Sequence, residues 1–452
     1  MPGGKPSAYA RPGTRSSRQA FPTGGLTTVQ QQNRAPLPSK KLTLTTEIPT
    51  RKDGASHFLQ VVYRNGLYLH GDLLGDQELS LADEGEEERL SRLTQVDAAR
   101  LAGLSRPSVA NYAQRMRRTV LSRNALAIRG TTGYAIGVDF GVTHRTRVAL
   151  SNANGKIVRV LPKEAKLGPQ TPSEALEAAR REILSLLKQY PEVTESELIG
   201  VGIGLPGPVK DGRLIGPEAR LWRGRDVAAE LQEMLGWEDV SFVTESDTYL
   251  SALAETLWEG GKVAKNNLYI KWSGGLRAAI VIQGEPYIGH SGTAGELPHI
   301  VADPDRSERC EVCEQPGCLH AIAPLPVISG RIARREGGPT KELLRASQIV
   351  ARAQDDRSTM AELETAARAI GRAIAPMVDA VDPEAVIIGG ALGTRAFPLL
   401  SDAFEMAIKN NMARSQIKVT GGLLGHRTAV SGAVALVLER FAPAYLRRVA
   451  GI

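Results

Sequence analysis

Cysteine is scarce in this sequence: three in 452 residues, Cys310, Cys313 and Cys318, gathered within nine positions. An odd number so closely spaced argues against a disulfide framework and for a metal site in a reducing compartment. Long apolar runs are missing too, and none approaches the roughly 18 residues that a membrane helix needs. Residues 1–25 mix basic residues with glycine and proline and have no apolar stretch of the kind a secretory signal carries. These absences lead to the expectation of a soluble cytoplasmic protein that makes no membrane contact. Acid is short only at the start: Lys5, Arg11, Arg15, Arg18, Arg34, Lys40, Lys41, Arg51 and Lys52 meet a single acid, Glu47, before Asp53. Residues 1 to about 50 also lack apolar periodicity and are rich in Pro, Gly, Ser, Thr and Gln, the composition of a disordered tail. Such a basic tail either follows DNA phosphates or is simply solvated.

The rest of the chain has the means to fold. Hydrophobic residues make up 42% and charged residues 23%, the ordinary globular range, and the length predicts two to four folded units. The formal net charge of +7 suits a polyanionic partner without identifying one. Residues 56–69, with Ser56 as cap candidate, carry a helical apolar face of Phe58, Leu59, Val62 and Tyr63. An acidic segment at 81–90 reads as a loop leading into a helix, and residues 120–132 as a short two-stranded wing with Arg123, Asn124 and Arg129 near its turn. From Gly133 the character changes. Strand-like runs at 134–140, 147–152, 198–207, 240–245, 267–273, 278–284 and 385–392 alternate with helical stretches such as 172–190 and 360–380. That alternation predicts an α/β unit over 133–452. So long a stretch exceeds one comfortable core, so two lobes with a cleft between them are expected. A smaller unit over 51–132 precedes it.

Residues 94–118, TQVDAARLAGLSRPSVANYAQRMRR, hold the clearest local pattern. Thr94 is a good N-cap with Asp97 as its acidic partner. Ala98, Leu101 and Ala102 offer a small apolar face, and Gly103 supplies a turn where positive φ is cheap. Ser105 caps a second helix with Pro107 in its first turn. Val109, Tyr112, Ala113 and Met116 form that helix's inner stripe. Arg106, Ser108, Asn111, Gln114 and Arg115 are left facing outward. Arg pairs bidentately with guanine, and Asn or Gln with adenine, so this face has the chemistry to read base edges. The pattern predicts a winged helix-turn-helix whose second helix enters the major groove of double-stranded DNA, with Arg117 and Arg118 on phosphates. The competing reading is an ordinary helical hairpin.

Around the cysteines, residues 289–321 read GHSGTAGELPHIVADPDRSERCEVCEQPGCLHA, with His299 eleven residues before Cys310. His299, Cys310, Cys313 and Cys318 make a Cys3His set, a common closed site for zinc, Zn(2+). Four protein ligands leave no position for an activated water, so the expected role is structural. Three reduced cysteines and a surface histidine are the alternative.

Several segments from 133 to 440 resemble the ROK family, which joins bacterial sugar kinases with sugar-sensing repressors. VDFGVTH (138–144) resembles the first phosphate loop of the actin-like ATPase fold, and GIGLPGPVKDGR (202–213) the Gly-Pro-Gly segment beside the sugar. TESDTYLSALAE (244–255) resembles the stretch E-N-D-A-N-x-A-A-L-x-E. GTAGELPH (292–299) with CEVCEQPGC (310–318) resembles the E-x-G-H and cysteine signature, and DPEAVIIGGAL (382–392) the strand and turn near the adenosine. The resemblance implies a two-lobed actin-like ATPase fold, a homodimer or homotetramer, and a sugar or sugar-derivative effector bound near Pro206, Gly207, Ser246, Asp247, Glu296, His299 and His320. Asp247 matches the kinases' base. Departures gather elsewhere: Ser246 and Tyr249 replace asparagines, Pro298 a glycine, and His320 a glutamate, and the first two cysteines stand two residues apart instead of one. The second phosphate loop reads SGGLRAA (273–279), with Arg277 and Ala279 at glycine positions where backbone N–H groups would approach phosphate. His144 and Arg145 crowd the end of the first loop.

The expectation is therefore a DNA-binding transcriptional regulator of carbohydrate-related genes, a repressor and not an enzyme, controlled by a sugar-like ligand. Its units are the tail over 1–50, the DNA-binding unit over 51–132, and the effector-binding and dimerisation unit over 133–452. Two alternatives stand beside it. One is an active ATP-dependent sugar kinase with an appended DNA-binding segment. The other is a DNA-binding protein whose ROK module is a ligand-free dimerisation scaffold.

Overall fold

The computed structural model describes residues 51–66, 69, 93–122, 126–141, 145–162, 167–168, 170–216, 220–258, 263–338, 343–409 and 417–452. The basic tail, the acidic segment at 81–90, the wing residues Arg123 and Asn124, and the loop residues Thr143 and His144 lie outside them.

Among the described residues three helices come first: α1 (Arg51–Gly66), α2 (Gln95–Ala102) and α3 (Arg106–Met116). Helix α1 starts five residues before the expected cap, so Ser56 lies within it. Its buried face begins at Ala55 and continues through Phe58, Leu59, Val62 and Tyr63, and the spacing from 55 to 63 is that of one helical stripe. Thr94 caps α2 by accepting from the Asp97 amide, and Gly103 ends it with φ 60°. Ser105 caps α3 by accepting from the Ser108 amide. Val109, Ala113 and Met116 are buried as expected, and Tyr112 is half-buried. Leu101 is a correction. It is 47% exposed, and Ala99 takes the inner position instead, because Ala98, Ala99 and Ala102 lie on the side of α2 that faces the other helices. Leu121 and Ile128 form an antiparallel bridge at the base of the expected wing. Arg129 turns inward there and donates to the carbonyls of Arg117 (2.9 Å) and Leu121 (3.3 Å).

The remainder contains two five-stranded sheets of the same order. The first runs β3-β2-β1-β4-β7, from β1 (Tyr134–Asp139), β2 (Arg147–Asn152), β3 (Ile157–Leu161), β4 (Leu198–Leu205) and β7 (Phe242–Ser246). The second runs β10-β9-β8-β11-β12, from β8 (Asn267–Trp272), β9 (Leu276–Ile282), β10 (Glu285–Pro286), β11 (Ala385–Gly389) and β12 (Lys418–Gly421). In each, three strands meander antiparallel and two more join in parallel. A short hairpin, β5 (Val209–Lys210) and β6 (Arg213–Leu214), follows β4. β1 and β4 are buried along their whole length, which is why they read as unbroken apolar runs. The expected strand at 385–392 ends at Gly389, where the chain turns directly into a helix.

Helices cover both sheets: α4 (Pro172–Gln189), α5 (Val227–Leu235), α6 (Asp247–Leu257), α7 (Leu319–Ile322), α8 (Leu325–Arg335), α9 (Ala346–Asp355), α10 (Arg357–Val381), α11 (Gly390–Lys409) and α12 (Thr428–Ala450). Thr171 and Glu174 close α4 with a reciprocal capping box. The segment Gly425–Ala450 is long and apolar enough to cross a membrane by composition, but 72% of its most apolar window is buried within the protein. It belongs to the core that α12 builds with α6 and α1. Ser431 and Gly432 interrupt it, so it does not read as a continuous apolar run.

Candidate functional site

Three places gather the residues singled out in the sequence. The first is the cysteine loop. Val301 bridges Cys318 and Arg309 bridges Pro316, so the loop folds back on itself twice. Gly317 sits at φ +65° with the space for a Cβ only 1.8 Å from the Asp303 carbonyl, a position open to glycine alone. These turns bring the ligand atoms of His299, Cys310, Cys313 and Cys318 within 4.8 Å of one another. Cys313 and Cys318 sulfurs stand 3.8 Å apart, and His299 Nδ1 lies 3.7 Å from Cys310 Sγ. A tetrahedral zinc with Zn–S near 2.3 Å and Zn–N near 2.0 Å requires separations of about 3.8 and about 3.5 Å, so the four donors fit that ion. Burial pushes the Cys318 thiol up to about 12. Burial acts the same way on Cys310, but N–H groups of Cys313 and Val312 and the neighbouring thiols outweigh it and hold Cys310 below its ordinary value. His320 also faces this cluster, with Nδ1 3.6 Å from Cys310 Sγ, while its amide donates to the Pro298 carbonyl at 2.7 Å.

The second place is the cleft at the mouths of the two sheets. Asp247 begins α6, just past the end of β7, and is 7% exposed. Lys271, on β8, puts Nζ 2.7 Å from its Oδ2, and the Thr248 hydroxyl donates to Oδ1 at 3.2 Å. Across the cleft, Arg277 Nε donates to Glu296 at 3.0 and 3.3 Å. The Ala278 amide donates to the Gly295 carbonyl at 2.9 Å, which seats the Glu296 loop against β9. The Arg277 guanidinium reaches between the two lobes: its nitrogens lie 3.3 Å from the Cβ position of Gly275 and 3.8 Å from that of Gly207. Both carboxylates are thus matched by a cation from the β8–β9 hairpin.

The cleft holds two adjoining cavities that share Thr248. One is lined by Asp139, Asp247, Lys271, Gly274, Gly275 and Arg277. The other is lined by Pro208, Glu245, Ser246, Tyr249, Tyr287 and Glu296. Asp247 and Glu296 therefore face different chambers, and His299 and His320 turn toward the sulfurs. Ser246 caps α6, its Oγ accepting from the Tyr249 amide at 3.1 Å. Pro206 is buried at the end of β4, and Gly207 donates its amide to the Leu205 carbonyl at 2.9 Å.

Sequence reasoning missed Lys271 and Glu245. Lys271 stands in an otherwise buried strand, and a lysine in such a run was the available signal. Glu245 accepts from the Ser246 amide at 2.9 Å, and burial raises its carboxyl above the usual range. A third buried carboxylate, Glu255, accepts from the amides of Leu423 and Leu424 at 2.9–3.1 Å and ties α6 to the loop entering α12.

The third place is the outer face of α3. Arg106, Asn111, Gln114 and Arg115 are exposed on it. Ser108 is half-buried, its Oγ 2.8 Å from that of Ser105.

Comparison with known proteins gives the same architecture. The chain is 26% identical over 329 residues to a putative xylose repressor of Caldicellulosiruptor sp., covering 70% of this chain and 80% of that one. It is 27% identical over 325 residues to the transcriptional dual regulator NagC of Escherichia coli, covering 67% and 75%. A glucokinase of Halalkalibacterium halodurans is 30% identical over 222 residues, covering 46% of this chain and 66% of the kinase. Among solved structures, a ROK family transcriptional regulator homologous to the Escherichia coli MLC protein superposes with a TM-score of 0.63 at 20% identity, covering 88% of this chain and 99% of its own. A Streptomyces griseus ROK glucokinase superposes with a TM-score of 0.56 at 23% identity, covering 67% and 99%. The ROK family pattern itself matches residues 135–440, taking in both sheets and the cysteine loop, and the chain belongs to that family.

Proposed function

We propose that the protein is a DNA-binding transcriptional regulator, a repressor of carbohydrate-related genes, whose grip on its operator is set by a sugar or sugar-derivative ligand in the cleft. The observation that carries this reading is the exposed row Arg106, Asn111, Gln114 and Arg115 on a helix capped at Ser105 and reached through the Gly103 turn. Residues 51–132 form the DNA-binding unit, a winged helix-turn-helix with α3 in the major groove. The relatives named as repressors support it. So does the regulator structure, which covers 88% of the chain where the glucokinase covers 67%.

Residues 133–452 bind the effector and join copies of the chain into a homodimer or homotetramer, so that two α3 helices address two half-sites. Pro206, Gly207, Ser246, Asp247 and Glu296 are the ligand side of the cleft. His299 and His320 stand behind it at the cysteine loop. Zinc held by His299, Cys310, Cys313 and Cys318 would supply a closed structural crosslink, since four protein donors leave no water position. The protein works in the cytoplasm.

Sugar phosphorylation is the second reading, favoured by the retained Asp247 and the glucokinase relative. The cation pairs argue against it. A base must receive a hydroxyl proton, and Asp247 would have to share its oxygens between Lys271, Thr248 and any such hydroxyl. Arg277, at a position where the family's second phosphate loop has glycine, holds its guanidinium 3.3 Å from the Cβ position of Gly275.

Footprinting of genomic fragments with the purified chain, followed by titration with D-xylose and N-acetylglucosamine, tests the proposal. Binding of discrete sites that a sugar weakens is the expected result. Failure to hold any fragment at physiological salt would remove the DNA-reading role. A coupled ADP-release assay on common hexoses separates the kinase.

A further inference from the structure

Helix α6 spans the distance between the cleft and the helices at the front of the chain. Its first residue is Asp247, paired to Lys271 at 2.7 Å. At its other end the Leu257 carbonyl accepts from the Leu69 amide at 3.0 Å, and Leu69 forms a parallel bridge with Trp258. Leu69 is fully buried and lies in the segment between α1 and α2. Eleven helical residues at 1.5 Å each span about 16 Å.

A second contact runs alongside. Helix α12 lies against α6 so closely that a Cβ on Gly432 would fall 1.8 Å from the Leu250 carbonyl, so the two helices cannot slide independently without losing that fit. Helix α12 in turn offers its Leu438 carbonyl to the Tyr63 hydroxyl of α1 at 2.7 Å. The side chains of α1, α2, α3, α6 and α12 form one continuous buried cluster. Helix α1 and the position Leu69 are therefore joined to a body whose far tip is Asp247.

We propose that α6, locked to α12, is the element through which the cleft acts on the DNA-binding helices, with Asp247 as its sensing end and the Leu69–Leu257 hydrogen bond as its output. Any group that takes Asp247 from Lys271 changes what holds the α6 N-terminus. A rigid helix passes that change to Leu69 and a flexible one does not. Spatial continuity alone does not establish coupling, so the test reads the output directly. The inference rests on the regulator reading for its meaning, but its measurement needs neither DNA nor sugar.

Hydrogen–deuterium exchange on the full chain follows the Leu69 amide in the wild type, Lys271→Met and Asp247→Asn, with the Leu319 amide of the cysteine loop as reference. Loosening of the Leu69 bond is expected to speed its exchange about tenfold more than that of Leu319 in Lys271→Met, and to favour Leu69 in the same direction in Asp247→Asn, over and above any shared rise from lost global stability. An unchanged Leu69 amide in both variants overturns the proposal and leaves the regulator reading standing. A uniform rise at Leu69 and Leu319 also overturns it, because Asp247 would then hold the whole fold and not this joint. A response at Leu69 in a protein that binds no operator supports the coupling while removing the DNA-reading role.

Discussion

Lys271 Nζ stands 2.7 Å from Asp247 Oδ2, with the two side chains only 14% and 10% exposed. A pair so far from water depends on both members, because removing one leaves a buried charge without its partner. Lys271→Met is expected to lower stability by about 3 kcal/mol, read as a shift in the denaturation midpoint. The wild type should release no ADP above background with hexoses. Turnover that disappears in Asp247→Asn would return the protein to the kinases.

The cysteine loop predicts a metal content. The purified chain should carry one zinc per protomer, and chelation should lower its melting temperature. Cys313→Ser and His299→Ala should each lose the metal. His320→Ala should keep it, because His320 lies outside the group of four mutually close donors. Elemental analysis of the three variants checks this, and loss of zinc from His320→Ala would redraw the ligand set.

On α3, Asn111→Ala and Arg115→Ala should each weaken operator binding by about 1–3 kcal/mol and relax base preference at one position. Arg118→Ala should weaken all sequences alike. Ser105→Ala removes the cap that accepts from Ser108 and should cost about 1 kcal/mol of stability. Competition between operator and mutated operator separates the two kinds of loss.

Glu255 predicts a pH dependence. Its burial raises the carboxyl above its ordinary value of 4.5, against the opposing N–H bonds from Leu423 and Leu424. The folded state thus holds the proton more tightly than the unfolded chain. The stability this contributes is complete below pH 4.5 and is lost as pH rises through the folded value. Glu255→Gln removes that loss, so the stability difference between wild type and variant should move against the wild type as pH rises from about 4 to 7. Urea titrations across that range measure it, and a flat difference would place the carboxyl at its ordinary value.

The regular elements were legible because their residues act locally. Thr94, Gly103 and Ser105 mark helix ends by chemistry within three or four positions, and the cysteines declare their site by spacing alone. Strand positions such as 147–152 and 198–205 follow from apolar runs. What the sequence concealed depends on residues far apart. Lys271 and Asp247 are 24 positions apart and meet only when the second sheet closes on α6. Arg277 was visible as a departure from a glycine loop, but its partner Glu296 is 19 positions away. Leu101 misled because helical periodicity gives a stripe without saying which neighbour will cover it, and Ala99 is small enough to take the buried place.

The hydrogen bond from Tyr63 to the Leu438 carbonyl joins positions 375 residues apart. At 5–20 residues per second, the ribosome makes the acceptor roughly 20–75 s after the donor. Until then the apolar stripe of Ala55, Phe58, Leu59, Val62 and Tyr63 has no α12 to cover it. A nascent or prematurely terminated chain leaves that stripe covered only by α2 and α3, where Phe58 meets Tyr112 with ring centroids 6.1 Å apart, and so open to chaperones and proteases. In the proposed regulator, a truncated product lacking that helix would be open to clearance before it could compete for DNA.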